Sequence, residues 1–226
     1  MIYAFKKGDT YQTLDEHINE CLKTLKKIEN SKLWSNDFNY KFVRRVVIFH
    51  DVGKVAFQKE YGDLSFVGHE FISAYVFWEV FEDELIGKDK LLYTFPIIFH
   101  HHAMRIKSGK SKGRLERLKD IQIIICENTL EELSKILKNF VESKYVSRTV
   151  DALRNINTST VVDNICEMID EIWRTFHGNF AKNALKLLLI TIICDYEGSK
   201  NRGIQTSFGK VVEDFFKYSL LQRSII

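Results

Sequence analysis

Proline is almost missing from this chain: it occurs once, at Pro96, among 226 residues, and glycine is held to 11. So few breakers disfavour a fold of short strands and many tight turns, and leave long helices as the main element. Paired cysteines are missing too. Cys21, Cys126, Cys166 and Cys194 form no Cys-x-x-Cys unit, which excludes a zinc ribbon and argues against a disulfide framework. Each falls in an apolar helical pattern and is expected to be a reduced core thiol. No apolar run approaches the roughly 20 residues of a membrane span; the longest, 187–194, is interrupted by Thr191 and reads as a buried helix. The opening MIYAFKKGDT lacks the apolar centre of a secretory leader. A large charge imbalance is absent as well, since 33 Lys and Arg face 30 Asp and Glu for a net +3. That excludes a histone-like or polyanionic protein. A cytoplasmic chain with no membrane association is expected.

What the chain does have is apolar periodicity. Leu14, Ile18, Cys21, Leu22, Leu25 and Ile28 make a helical stripe, opened by a capping-box pair, Thr13 and Glu16. A second stripe runs Phe42, Val43, Val46, Val47, Phe49 and His50 and stops at Gly53. A third runs His69, Ile72, Ser73, Val76, Phe77 and Val80. Pro96 is expected to open a new helix over 97–104. Further helices are expected near 115–127, 129–145, 158–176, 179–198 and 208–222, with loops at 105–114 and 198–207. No repeat or long linker divides the chain, so the spacing predicts a single compact all-α domain over residues 1–226.

The histidines are placed where packing alone does not explain them. His50 ends the apolar face of the second stripe and is followed at once by Asp51, then Gly53 and Lys54. His17 borders the first stripe and His69 opens the third. His100, His101 and His102 stand in a row inside an apolar context, where three unpartnered buried imidazoles would cost several kcal/mol. Asp195 falls seven residues after Leu188 and three after Ile192, on the buried face of a very apolar helix; an ionised carboxylate there needs a cation or several donors. Taken singly, each is compatible with a core histidine, a helix cap or a rim residue. As a set they have the composition of a two-cation hydrolase site with Asp51 as the bridging carboxylate, a type of site suited to in-line displacement at phosphorus. So nitrogen-rich a set favours Mn, Fe, Co, Ni or Zn over Mg.

In order, His17 in LDEHIN, His50 and Asp51 in HDVGK, His69 in GHE, the histidines of FHHHAM and Asp195 in CDYEGS give a pattern H…HDxGK…H…HH…D. This pattern resembles the HD-domain metal-dependent phosphohydrolases, an all-α superfamily, and within it the CRISPR-associated HD nucleases of type I interference. The motifs span residues 14 to 199. The resemblance implies two divalent metal ions (Mn, Ni, Co or Mg): one held by His17, His50, Asp51 and Asp195, the other by Asp51, His69 and two consecutive histidines. It implies that Lys54 steadies phosphate or transition-state charge beside Asp51. Because HHH replaces the usual HH, the pair is His100 with His101 or His101 with His102; the first follows Ile97 at helical spacing. No helicase is present, and the string Ser108-Gly109-Lys110-Ser111 is not a nucleotide-binding loop, because Met104 stands where the first glycine belongs. The resemblance therefore implies a stand-alone subunit that works with a separate CRISPR helicase and the interference complex.

Residues 105–119 carry Arg105, Lys107, Lys110, Lys112, Arg114, Arg117 and Lys119 against the single acid Glu116. Directly after the histidine run, the first five are expected to guide single-stranded nucleic acid toward the site. The expected activity is metal-dependent hydrolysis of phosphodiester bonds in single-stranded DNA or RNA. The competing enzymatic reading is a small-molecule phosphohydrolase, a nucleotidase or a cyclic-dinucleotide phosphodiesterase. A third reading, a metal-stabilised scaffold that only binds nucleic acid, leaves two cation positions without a purpose.

Overall fold

The computed structural model describes residues 1–59, 62–101, 110–202 and 207–221. The all-α expectation holds, with one addition at the start of the chain. There β1 (Tyr3–Lys7) and β2 (Thr10–Thr13) pair antiparallel, with Lys7 opposite Thr10. Gly8 and Asp9 make the turn, and Gly8 adopts φ 56°, the left-handed conformation that a two-residue hairpin turn requires and side chains resist. Ile2 and Ala4 are buried, so the hairpin closes one side of the helical core.

The helices follow: α1 (Leu14–Glu29), α2 (Tyr40–Phe49), a 3-10 turn (Val52–Phe57), α3 (His69–Val80), α4 (Lys88–Phe99), α5 (Lys110–Lys119), α6 (Glu127–Leu137), α7 (Ser143–Arg154), α8 (Thr158–Thr175), α9 (Gly178–Gly198), a short 3-10 turn (Lys200–Arg202) and α10 (Ser207–Leu221). Helix α9 is the central element and packs on α1 and α4. Its middle, Leu187, Leu188, Ile190, Ile192, Ile193 and Cys194, is buried nearly all round, which accounts for its weak amphipathicity. Helix α3 lies against α4 and the 52–57 turn, and α2 sits between α1 and α4. Among the described residues no helix is long and apolar enough to cross a membrane.

Several boundaries differ from expectation. Pro96 does not open a helix; it lies inside α4. It removes one backbone hydrogen bond, and the helix continues because Leu91, Phe95, Ile97, Ile98 and Phe99 are all buried, so packing outweighs the ~3 kcal/mol that an interior proline costs. The second stripe ends at Phe49 and not at Gly53, because His50 and Asp51 lead into the 52–57 turn. The helix expected near 115–127 spans Lys110–Lys119, and the one expected over 129–145 is two, α6 and α7. The loop expected at 105–114 is therefore helical from Lys110 onward; Arg105 and Lys107 lie outside the described residues, as does His102. Among the described residues no cysteine forms a disulfide, and only Cys21 and Cys194 are buried. Cys126 occupies the N-cap position of α6 and Cys166 lies on α8, both exposed.

Candidate metal centre

The capping box forms at Thr13, whose hydroxyl accepts from the Glu16 amide at 3.2 Å while the Glu16 carboxylate accepts from the Thr13 amide at 2.9 Å. This fixes the start of α1 and, one turn in, the fully buried ring of His17. His50 and His100 sit at equivalent places, the C-terminal caps of α2 and α4. In each, the ring Nδ1 donates to the carbonyl three residues back, Val47 at 2.7 Å and Ile97 at 2.8 Å. These carbonyls belong to a last helical turn and would otherwise lack a partner. His69 opens α3 behind Gly68, and its Nδ1 donates to the Phe66 carbonyl at 2.5 Å. A carbonyl only accepts, so all three rings carry their proton on Nδ1, and in the neutral form each presents a lone pair at Nε2.

Those lone pairs converge on Asp51. Its Oδ1 is 2.9 Å from His69 Nε2 and 3.9 Å from His100 Nε2; its Oδ2 is 3.0 Å from His17 Nε2 and 3.6 Å from His50 Nε2. Lys54, one turn on, reaches Asp51 Oδ2 at 2.5 Å while lying over the Phe66 ring. Asp195, from the last turns of α9, places Oδ1 at 3.3 Å from His17 Nε2 and 3.8 Å from His50 Nε2. The Ser199 hydroxyl donates to the same oxygen at 3.5 Å. His101 Nε2 lies 3.2 Å from His69 Nε2. Two four-residue groups result, Asp51 with His69, His100 and His101, and Asp51 with His17, His50 and Asp195. Asp51 is common to both. His17, His50, Asp51 and His100 are buried, whereas His101 and the edge of Asp195 reach the surface and mark the mouth of the site.

The electrostatics follow from this crowding. Burial raises the Asp51 carboxyl, but the Lys54 charge, His50 and hydrogen bonds from His17 and His69 outweigh it and hold Asp51 well below the usual carboxylate range. Asp195 is likewise held well below it, burial being outweighed by His17 and His50. Burial pushes His100 well down, with His101 and His50 adding to the effect. Burial, then His69, brings His101 to about 4. His17 moves the other way, because Asp195 and Asp51 outweigh its burial. The centre thus holds two ionised carboxylates and, at His100 and His101, neutral imidazoles at neutral pH, the protonation states that cation binding needs.

Two observations test whether these residues suit divalent cations. His100 Nε2 is buried and has no hydrogen-bond partner among the described residues, a cost of ~1–3 kcal/mol with nothing to offset it. His69 Nε2 and Asp51 Oδ1 are both lone-pair atoms, yet they face each other at 2.9 Å, which requires a proton or a cation between them. The set fits cations, and its five imidazoles (His17, His50, His69, His100 and His101) favour Mn, Fe, Co, Ni or Zn.

The structure thus brings His17, His50, Asp51, Lys54, His69, His100, His101 and Asp195 to one place. Lys110, Lys112 and Arg114 fall at the start of α5. Two neighbours were not singled out by sequence reasoning. Cys21 places Sγ 3.6 Å from His17 Nε2, and the signal was there in its position one turn after His17 on the same stripe. Arg202, whose Nη2 lies 3.2 Å from His17 Nδ1, carried no sequence signal at all.

No protein-family profile and no solved structure matches the chain significantly. A curated relative, the CRISPR-associated endonuclease Cas3-HD of Pyrococcus furiosus, is 22% identical over 231 residues, covering 89% of this chain and 94% of that protein. A match over nearly the whole of both chains supports the resemblance to CRISPR-associated HD nucleases that the motifs carry.

Proposed function

We propose that this chain is a CRISPR-associated HD nuclease that hydrolyses phosphodiester bonds of single-stranded DNA with two divalent cations at the Asp51 centre, partnered by a separate helicase and the interference complex. The observation that carries the reading is the position of Asp51, one buried carboxylate shared by two four-donor groups. Bound there, the cations would supply Lewis-acid neutralisation of charge at phosphorus.

The chain's own residues do the rest. The carbonyls of Val47, Phe66 and Ile97 hold His50, His69 and His100 in the tautomer that leaves Nε2 free, so these three donors need no rearrangement when loaded. Lys54 holds Asp51 by one oxygen and keeps a positive charge beside the reacting phosphate. His101 and Asp195, at the mouth, bound the opening through which a strand enters. Arg105, Lys107, Lys110, Lys112 and Arg114 follow the histidines directly and guide the strand by its phosphates. Binding there falls steeply with salt.

The test is hydrolysis by metal-stripped protein supplied with Mn, Ni, Co, Mg or Zn. Single-stranded DNA, duplex DNA, single-stranded RNA and cyclic dinucleotides serve as substrates, and Asp51→Ala controls for contaminating nuclease. Metal-dependent cutting of single strands, absent from Asp51→Ala, is expected. Turnover confined to the cyclic dinucleotides would replace this reading with a small-molecule phosphodiesterase.

A further inference from the structure

His17 differs from the other inward-facing histidines in what lies behind it. His50, His69 and His100 each have a carbonyl at Nδ1. His17 has the Arg202 guanidinium there, Nη2 to Nδ1 at 3.2 Å. The guanidinium only donates, so His17 Nδ1 is the acceptor and the proton of the neutral ring sits on Nε2. That places it on the nitrogen facing Asp51 Oδ2 at 3.0 Å and Asp195 Oδ1 at 3.3 Å, both acceptors. The contact is built. Arg202 Nε donates to Gln12 Oε1 at 2.7 Å, and the buried Gln12 amide donates in turn to the Gly198 carbonyl at 2.7 Å. The guanidinium also lies 5.3 Å over the Phe5 ring. Hairpin, end of α9 and 200–202 turn therefore converge to seat one cation behind one imidazole.

A cation on His17 Nε2 needs that lone pair, which sends the ring proton to Nδ1. There it meets the guanidinium, donor against donor, with two like charges brought close. Arg202 and a cation at the His17 position therefore exclude one another in the observed arrangement. An arginine displaced from His17 keeps a planar fork of donors suited to a phosphate.

We propose that Arg202 is a positioning residue that makes the two cation positions unequal. The group Asp51, His69, His100 and His101 fills first, and the group containing His17 fills only as Arg202 leaves for the phosphate of an arriving nucleotide. The inference rests on the two-cation reading above, and it makes metal loading and anion binding mutually reinforcing.

The experiment counts bound Mn2+ by electron paramagnetic resonance of the free ion, over a titration with and without thymidine monophosphate, which has no internucleotide bond to cut. Wild type is expected to bind one ion tightly and a second more weakly. The nucleotide should tighten the second by about tenfold or more, the fold-change of one charge-assisted hydrogen bond. Arg202→Met keeps the stem and removes the donors; it is expected to bind the second ion tightly alone and to lose the nucleotide effect. Arg202→Lys, which keeps a cation, should retain the weak second ion. Circular dichroism checks the fold, and wild type with Arg202→Lys decides the matter if Arg202→Met does not fold. Two equivalent ions in wild type, or an unchanged second ion in folded Arg202→Met, overturns the inference and leaves the proposed function standing. No bound ion in wild type overturns both.

Discussion

Gly53→Ala tests how closely the HDVGK segment is fitted against α3. A methyl group at Gly53 would lie 2.2 Å from the His69 carbonyl oxygen, 2.7 Å from the Ser73 amide nitrogen and 2.9 Å from Ser73 Oγ. Carbon and oxygen rest at about 3.3 Å, so the first turn of α3 has to retreat by about 1 Å. Two of the three obstacles are backbone and cannot turn aside. Overpacking of this kind costs ~1–3 kcal/mol, and the bond from the Gly53 amide to Ser73 Oγ at 2.8 Å is worth ~1 kcal/mol more. The sum is about 3 kcal/mol, which for a chain of this size lowers Tm by roughly 6–12 °C. Thermal unfolding in chelator is the assay, so that bound metal adds nothing. Adding Ser73→Ala relieves only the hydroxyl clash and recovers at most ~1 kcal/mol. A Gly53→Ala protein melting within about 2 °C of wild type would refute the argument, because the close approach would then be absorbed without cost.

Other perturbations separate stability from function. Burial of Arg45 among the Phe42, Phe81 and Tyr145 rings leaves its charge to Glu84 at 2.7 Å, and hydrogen bonds from Arg45, Lys144 and Lys41 hold the Glu84 carboxyl at about 2. A lowered carboxyl contributes stability above its unfolded value and loses it as pH falls. Wild type should therefore lose about 1–2 kcal/mol between pH 4.5 and 2 from this group, allowing for solvent screening, and Glu84→Gln should lack that share of the acid dependence in urea titrations. His100→Leu removes the unpartnered Nε2 but also the Nδ1 bond to the Ile97 carbonyl, effects of similar size and opposite sign, so the metal-free Tm should stay within a few degrees of wild type. It should also cut by at least half the stabilisation that metal gives, ~2.7 kcal/mol at a hundredfold excess over Kd. A large fall in metal-free Tm would show His100 to be a packing residue. Replacing Arg105, Lys107, Lys110, Lys112 and Arg114 by Gln should reduce the slope of log affinity against log salt for single-stranded DNA by about 0.7 for each phosphate that the variant no longer neutralises; an unchanged slope removes the segment from the interface.

The parts of the centre that were legible are those whose chemistry is unusual for their surroundings. An Asp on the buried face of α9 and three histidines after an apolar run demand partners whatever the fold, so Asp195 and the 100–102 run stood out. His50 and Asp51 stood out by adjacency. The hairpin was missed because β1 and β2 are too short for alternation to show, although Gly8-Asp9 between them is a turn signal. Pro96 misled because a proline's local cost is fixed, whereas burial of α4 on both sides is a tertiary gain that no local window contains. Arg202 was invisible for the same reason: its partners, Gln12, His17 and Phe5, lie far away in sequence and meet it only when the hairpin folds over the end of α9. The α2 boundary depended on the His50 ring capping Val47, a side-chain choice that periodicity does not register.

The sharing of Asp51 between two cations is tested most directly by anomalous diffraction from crystals grown with Mn2+ and thymidine monophosphate. Two peaks are expected, one among Asp51, His69, His100 and His101 and one among His17, His50, Asp51 and Asp195. Crystals with no peak at this centre, or with a single ion that does not touch Asp51, would contradict the account.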